Sequence, residues 1–361
     1  MLGIVRSWFD RLFAEEETVV LLLLLAACLV LMLTLGNVLV PIVASVVLAF
    51  MMQGIIARLS GMGMPRWLTI TIAYAVFVSV FFGVLVILMP LVWQQLTNLF
   101  QELPSMLRKL QHLLLLLPQR SEMFTEQQIR DWMALASKEL GSVGQYLLSF
   151  SIAQLPNVVG LIINIVLIPI LVFFFLKDKE SILAWLASFL PGRRPLLSAV
   201  WAEMNVQVAN YVRGKAVEIV IVGFISYISF YVIGLNYSAL LALAVGLSVV
   251  IPYIGAAVVT LPVLLVGFIQ WGWGGEFFTL FIVYSVIQAL DGNVLVPLLF
   301  SEAVNMHPVA IIVAVLVFGG LWGIWGVFFA IPLATLVKAI LYAWPRPQPN
   351  PVDGGDVAID E

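Results

Sequence analysis

Apolar runs long enough to cross a bilayer recur along this chain, at residues 18–35, 38–57, 67–92, 158–176, 216–235, 238–271, 277–299 and 308–343. A helix of about 20 predominantly apolar residues spans a hydrocarbon core of about 30 Å. The runs therefore predict an all-α, polytopic integral membrane protein. Composition agrees: 63% of residues are hydrophobic and 10% charged, against about a quarter charged in an ordinary soluble domain. The first run, Val19 to Leu35, follows three glutamates, Glu15 to Glu17, with no small-residue cleavage site in its flank. It reads as a retained span rather than a signal peptide.

The first two runs are joined through Gly36-Asn37, with Pro41 just inside the second, and read as a hairpin. After the linker "GMGMPRW" and a third span, residues 94–156 are too polar to cross. There Leu96, Leu99, Leu103, Leu107, Leu110, Leu114 and Leu117 recur at three- and four-residue steps, the stripe of an amphipathic helix. A weaker stripe covers Thr125 to Leu148, with Ile129, Trp132, Met133, Leu140 and Val143 on its apolar side. Such helices lie in the membrane interface, pack as a small domain or contact a neighbouring subunit, and the pattern does not choose. A fourth span, 157–177, ends in Lys177-Asp178-Lys179-Glu180. Residues 178–215 read as a surface-bound cytoplasmic amphipathic helix bounded by Arg193-Arg194 and by Arg213 and Lys215. The tail, 344–361, is rich in proline and then aspartate and reads as disordered.

Basic residues set the expected orientation. With both termini inside, Arg6, Arg11, Arg58, Arg66, Lys177, Lys179, Arg193, Arg194, Arg213, Lys215, Lys338 and Arg346 are cytoplasmic, and only the basic residues of 94–156 are left outside. The positive-inside rule favours that choice.

The second half contains an internal repeat. "ALLALAVGLSVVIPYIGAAVVTLPVLLV" (Ala239 to Val266) can be laid on "AIIVAVLVFGGLWGIWGVFFAIPLATLV" (Ala310 to Val337) so that Gly255 falls on Gly326 and Pro262 lands one position from Pro332. Each copy is broken near its centre, by Pro252 and Gly255 in one and by Gly320, Gly323 and Gly326 in the other. This predicts two re-entrant helical hairpins, since irregular backbone at membrane depth is tolerated only inside protein or against a wet cavity. One crossing, 277–299, separates them, so they enter from opposite faces, as in the inverted repeats of secondary transporters. The alternative is four short spans packed through glycine.

Charge inside the apolar runs marks the candidate site. Asp291, followed by Gly292 and Asn293, lies about fourteen residues into the 277–299 run. A charge at such a helix centre costs at least about 2.5–3.5 kcal/mol and is a functional candidate by default, the other reading being a buried acid that only joins two helices. Glu218 follows Arg213-Gly214-Lys215 by one turn and reads first as their partner at the membrane interface. His307, before Pro308, sits at the mouth of the second hairpin, where it serves either as an interfacial side chain or in a proton-coupled step. His112 belongs to the amphipathic helix, and the single cysteine, Cys28, is a packing residue inside the first span.

Several function classes are excluded. A net charge of −3 without a basic block argues against nucleic acid as a partner. There is no phosphate-binding G-x-x-x-x-G-K-[ST], no H-E-x-x-H and no G-x-S-x-G. The glycines of "GGLWGIWG" follow no strand and sit in an apolar run. No enzyme, cofactor or metal site is expected.

The runs "ANYVRGKAVEIVIVGF", "GLNYSALLALAVGLSVVIPYIGA", "QALDGNVLVPLLFSEAVNMHP" and "FGGLWGIWGVFFAIPLATLVKA", with "FLKDKE" upstream, resemble the AI-2E family of bacterial inner-membrane transporters, most closely its PerM-type branch. The similarity is dense over about 200–343 and looser toward the N-terminus. The resemblance implies a transporter that exports an autoinducer-2-like quorum-sensing signal or exchanges sodium for protons. It also implies a homo-oligomer, with pentamers described, and an elevator-like moving domain containing helical hairpins. The family's D-x-N-x-x-x-P pattern falls on Asp291, Asn293 and Pro297, its P-x-x-G hairpin on Pro252 and Gly255, and its G-x-x-G with a following proline on Gly323, Gly326 and Pro332.

The expectation is thus about six full spans plus two broken hairpins and amphipathic extramembrane helices. Residues 1–93 form a membrane scaffold and 216–343 a transport domain around Asp291, Asn293, Pro252, Gly255, Gly323, Gly326, Glu218 and His307. Its partners would be the lipid bilayer and a small solute, monovalent cation or proton. A membrane scaffold that organises partners without transport is the remaining alternative.

Overall fold

A computed structural model describes residues 16–114, 158–192, 194–252, 254–300 and 306–343, with Gln127, Asp131 and Ala134 as isolated helical positions. Every regular element among them is helical. In chain order they are α1 (Glu16–Gly61), α2 (Arg66–Gly83), a π-helical turn (Val84–Leu88), α3 (Met89–Leu114), α4 (Val158–Lys177), α5 (Lys179–Ser188) and α6 (Pro195–Ile233). Then follow α7 (Ser238–Ser248), α8 (Ile254–Trp271), α9 (Gly275–Leu290), a second π turn (Asp291–Leu295), α10 (Val296–Phe300), α11 (Pro308–Phe328) and α12 (Ala330–Ala343).

Among the described residues seven helical segments are long and apolar enough to cross a membrane: Val19–Gly36, Val38–Gly61, Arg66–Leu110, Pro195–Ile233, Ile254–Trp271, Gly275–Phe300 and Pro308–Phe328. Their outer faces carry bare aliphatic side chains, with Ile87 73%, Leu261 71% and Val232 77% exposed. Apolar surface on this scale is an aggregation hazard in water and the expected lipid-facing surface of a multi-pass membrane protein.

The first two spans are the arms of α1, which departs from helical geometry at Leu35 (φ −115°, ψ 17°). A straight helix would hold Glu17 and Gly54 about 55 Å apart. Glu17 Oε1 accepts from Leu197 N at 2.7 Å, however, and Gly54 packs against the Arg213 side chain. Both contacts lie on α6, at points only about 24 Å apart along its axis. The arms therefore fold back, as the expected hairpin requires, and α1 packs against α2, α4 and α6. Ala49, Phe77, Val172 and Leu176 form the core of that part.

Two elements run further than the sequence suggests. The third span and the amphipathic stretch from Leu96 form one helical rod over residues 66–114, about 70 Å long at 1.5 Å per residue. Its far end clasps the first hairpin: Gln95 Oε1 accepts from Leu240 N at 2.8 Å, and the Tyr237 hydroxyl donates to Glu102 at 2.7 Å. Leu99 and Met106 join the core of α6 to α9. That stripe thus packs on its own chain. Of the second amphipathic stretch only Gln127, Asp131 and Ala134 are among the described residues, and the tail lies outside them.

The expected surface helix at 195–213 and span at 216–235 are likewise one helix, α6. Arg213-Gly214-Lys215 lies within it without a break. Arg213 donates to Ala209 O and Asn210 Oδ1, both at 2.9 Å, and Gly214 makes room for the Phe300 ring.

Both π turns end two residues before a proline, Pro90 and Pro297. A proline ring clashes with the carbonyl four residues earlier and brings no N–H to the ladder. One extra residue in the preceding turn moves that carbonyl aside, and such bulges occur often at functional sites.

The repeat folds as two hairpins, α7 with α8 and α11 with α12. A Cβ added at Gly255 would overlap the Ser248 carbonyl, and one at Gly326 would overlap the Phe318 carbonyl. Matched glycines thus let the returning arm cross the end of the entering arm. Gly323 (φ 60°, ψ −138°) breaks α11 in a backbone region essentially reserved for glycine. With 11 residues, α7 is too short to span by itself.

Candidate functional site

The two hairpin tips meet α6 and the second π turn around a cavity of about 390 Å³. Pro252 and Val249 come from the first hairpin, Ile311 and Ile331 from the second, Tyr211, Lys215 and Glu218 from α6, Gln288 from α9 and Asp291 from the π turn. Most of the wall is apolar, so its few polar groups are conspicuous.

Lys215 and Glu218 stand three residues apart on one face of α6, with side chains only 6% and 2% exposed and Nζ 2.8 Å from Oε2. The contact is an ion pair by distance, without hydrogen-bond alignment. The ammonium donates instead to Val249 O at 2.7 Å and lies 5.1 Å from the centre of the Phe300 ring. Glu218 Oε2 and Asp291 Oδ1 are therefore buried acceptors without a hydrogen-bond donor among the described residues. Lys215 acts electrostatically on both carboxylates. Removing one member of a buried charge pair strands the other at a cost of about 3–5 kcal/mol, so the three groups are energetically one unit.

Of the residues singled out in the sequence, Asp291, Glu218 and Pro252 line this cavity. Gly255, Gly323 and Gly326 shape the hairpins behind it. Asn293 lies on the exposed side of the π turn and donates to Ala289 O at 2.8 Å. His307 caps α11, its Nδ1 accepting from Val309 N at 3.3 Å. Neither lines the cavity. The expected pairing of Glu218 with the basic group is made by Lys215, but buried at the cavity; sequence reasoning did not place Lys215, Tyr211 or Gln288 at the site. The i, i+3 spacing of Lys215 and Glu218, and of Gln288 and Asp291, was the available signal. No group of three or more His, Cys, Asp and Glu side chains among the described residues has the geometry to hold a metal ion.

Comparison with known proteins points the same way. Residues 19–346 match the family described as "AI-2E family transporter". The chain is 44% identical over 350 residues to the Escherichia coli (strain K12) protein named "Putative permease PerM", covering 96% of this chain and 99% of that one. It is 28% identical to the Bacillus subtilis "Putative transport protein YueF", over 83% of this chain and 82% of the other. To "Putative transport protein YrrI" of the same organism it is 27% identical, over 86% and 87%.

Proposed function

Because the chain belongs to the AI-2E family of transporters, we propose that it moves a small solute by alternating access through the cavity at Asp291, Glu218 and Lys215. The observation that carries this reading is the convergence of two broken hairpins on a buried, charged cavity. Secondary transporters hold their substrates at such meeting points. A solute entering there offsets the desolvation of the carboxylates, and movement of the hairpins against α6 opens the cavity to one side and then the other.

The proposal includes a bacterial inner membrane with both termini in the cytoplasm, a homo-oligomer of the pentameric kind, and export of an autoinducer-2-like signal as the leading transport reaction. The orientation is supported by the cluster at one end of the bundle. Arg66 pairs with Glu180 at 2.8 Å and Lys179 donates to Gln53 at 2.9 Å, which gathers basic residues on one side. In that orientation the α7–α8 hairpin enters from outside and the α11–α12 hairpin from the cytoplasm.

Sodium/proton antiport is the second reading, favoured by one observation: two carboxylates share one lysine. With all three groups ionised one negative charge is left over, which a cation or proton neutralises.

Flux of autoinducer-2, sodium and protons across proteoliposomes containing the wild type and Asp291→Asn tests both. Transport lost in the variant supports the site, and the species whose flux is lost identifies the reading. Flux unchanged in the variant removes Asp291 from the mechanism. Absence of all three fluxes in the wild type favours a membrane scaffold.

A further inference from the structure

Beside the cavity, α8 and α9 are joined by a hydrogen-bonded chain whose direction is fixed by elimination. The Thr260 hydroxyl lies 2.6 Å from Ala256 O, a carbonyl that can only accept, so the single Thr260 proton goes there. Thr260 Oγ1 is 3.0 Å from the Tyr284 hydroxyl, and with its proton committed it accepts from Tyr284. Gln288 Nε2, 2.7 Å from the same hydroxyl, is then the donor. Reversing the amide would leave two hydroxyl oxygens facing each other without a proton between them. The chain runs Gln288 N–H to Tyr284 to Thr260 to Ala256 O, and Tyr284 is only 2% exposed. Both its ends, Gln288 and Ala256, are cavity residues.

This fixes the polarity of the cavity. With one amide N–H held by Tyr284, the orientation of Gln288 is set, and its oxygen is available as an acceptor beside its second N–H. Asp291 Oδ1 and Glu218 Oε2 are buried acceptors without a hydrogen-bond donor among the described residues. The Lys215 ammonium donates to Val249 O and is ion-paired with Glu218, and the Tyr211 hydroxyl donates to Phe328 O at 2.8 Å.

Resting on the transport reading, we propose that the cavity selects a small solute rich in O–H or N–H donors, neutral or cationic, and rejects anions, with Gln288 as a specificity-determining residue oriented by Tyr284 and Thr260. An anion would meet two carboxylates and a lysine that is already neutralised. A polyol or ammonium group matches the free oxygens, and about 390 Å³ is far more room than a bare ion fills.

The test is a thermal-unfolding titration of the purified full-length chain in detergent with xylitol, ethanolammonium and lactate at low millimolar concentration. Selective binding to the native state raises the midpoint with probe concentration. Xylitol or ethanolammonium should stabilise the wild type and lactate should not. Gln288→Leu should weaken the response at least about tenfold, and Tyr284→Phe, which lets the amide turn, by about threefold or more. Gln288→Glu, still an acceptor, should retain the ethanolammonium response and guards against a Gln288→Leu chain that fails to fold. The proposal is overturned if lactate stabilises as well as the other probes, if no probe acts, or if Tyr284→Phe and every folded Gln288 variant titrate like the wild type. Selective binding without flux in proteoliposomes would remove transport and leave this inference standing. Asp291-dependent flux of an anion would do the reverse.

Discussion

Tyr211 and Lys215 stand one turn apart on α6, and each holds the break of a different hairpin. The Tyr211 hydroxyl donates to Phe328 O at 2.8 Å, and the Lys215 ammonium donates to Val249 O at 2.7 Å. One turn of one helix is thus the post to which both hairpins are tied.

Cutting the two ties should have unequal effects. Tyr211→Phe removes one neutral hydrogen bond and should cost about 1–2 kcal/mol. Lys215→Met leaves Glu218 buried and unpaired and should cost about 3–5 kcal/mol, with much of it recovered in Lys215→Met/Glu218→Gln. Denaturation in detergent measures all three, and a double variant no more stable than Lys215→Met would disprove the coupling.

Asp291→Asn should leave the fold close to the wild type in stability, because Asp291 Oδ1 is buried without a hydrogen-bond donor among the described residues and Lys215 keeps Glu218 as its ion-pair partner. Its transport should fall at least about tenfold. A midpoint well below that of the wild type would instead mark Asp291 as a structural acid.

The hairpin glycines separate by position. Gly255→Ala and Gly326→Ala drive a methyl into a backbone carbonyl and should each cost about 2 kcal/mol or more. Gly323→Ala, at positive φ, should cost about 1–3 kcal/mol. An added Cβ at Gly320 meets nothing within 4 Å, and Gly320→Ala should be neutral or slightly stabilising. Equal losses at all four would contradict the crossing geometry.

The clasp between α3 and the first hairpin should weaken in alkali. Burial, then the hydrogen bond to and charge of Glu102, push the Tyr237 hydroxyl up to about 12. A raised folded-state value means that the stabilisation is complete below the ordinary tyrosine value of about 10 and is lost as pH rises through about 12. The wild-type unfolding midpoint should therefore fall more between pH 8 and pH 11 than that of Tyr237→Phe. Parallel curves would refute the role of this contact.

The spans, the broken repeat and Asp291 were legible because each departs from a single simple rule: length in lipid, helix-breaking residues at depth, charge among aliphatics. Lys215 was hidden for the opposite reason. A basic cluster after an amphipathic stretch resembles a helix boundary, and although Glu218 was read as its partner, only the fold reveals Val249 O against the ammonium and the burial of the pair. Gln288 and Tyr284 look like ordinary polar residues in an apolar run until α8 brings Thr260 against them. The π turn has a local cause in Pro297, but proline also kinks helices in other ways, so its form was not readable.

The rod over residues 66–114 is anchored at its start by Arg66 to Glu180 and further along by Glu102 to Tyr237. Any displacement of the first hairpin relative to α1 and α4 must flex it. Between those two contacts the regular helical ladder is interrupted at the Val84–Leu88 turn before Pro90, the kind of place where helices bend. In the proposed transport cycle a single turn of backbone outside the cavity lining would act as an elastic joint, its compliance limiting how far the first hairpin travels.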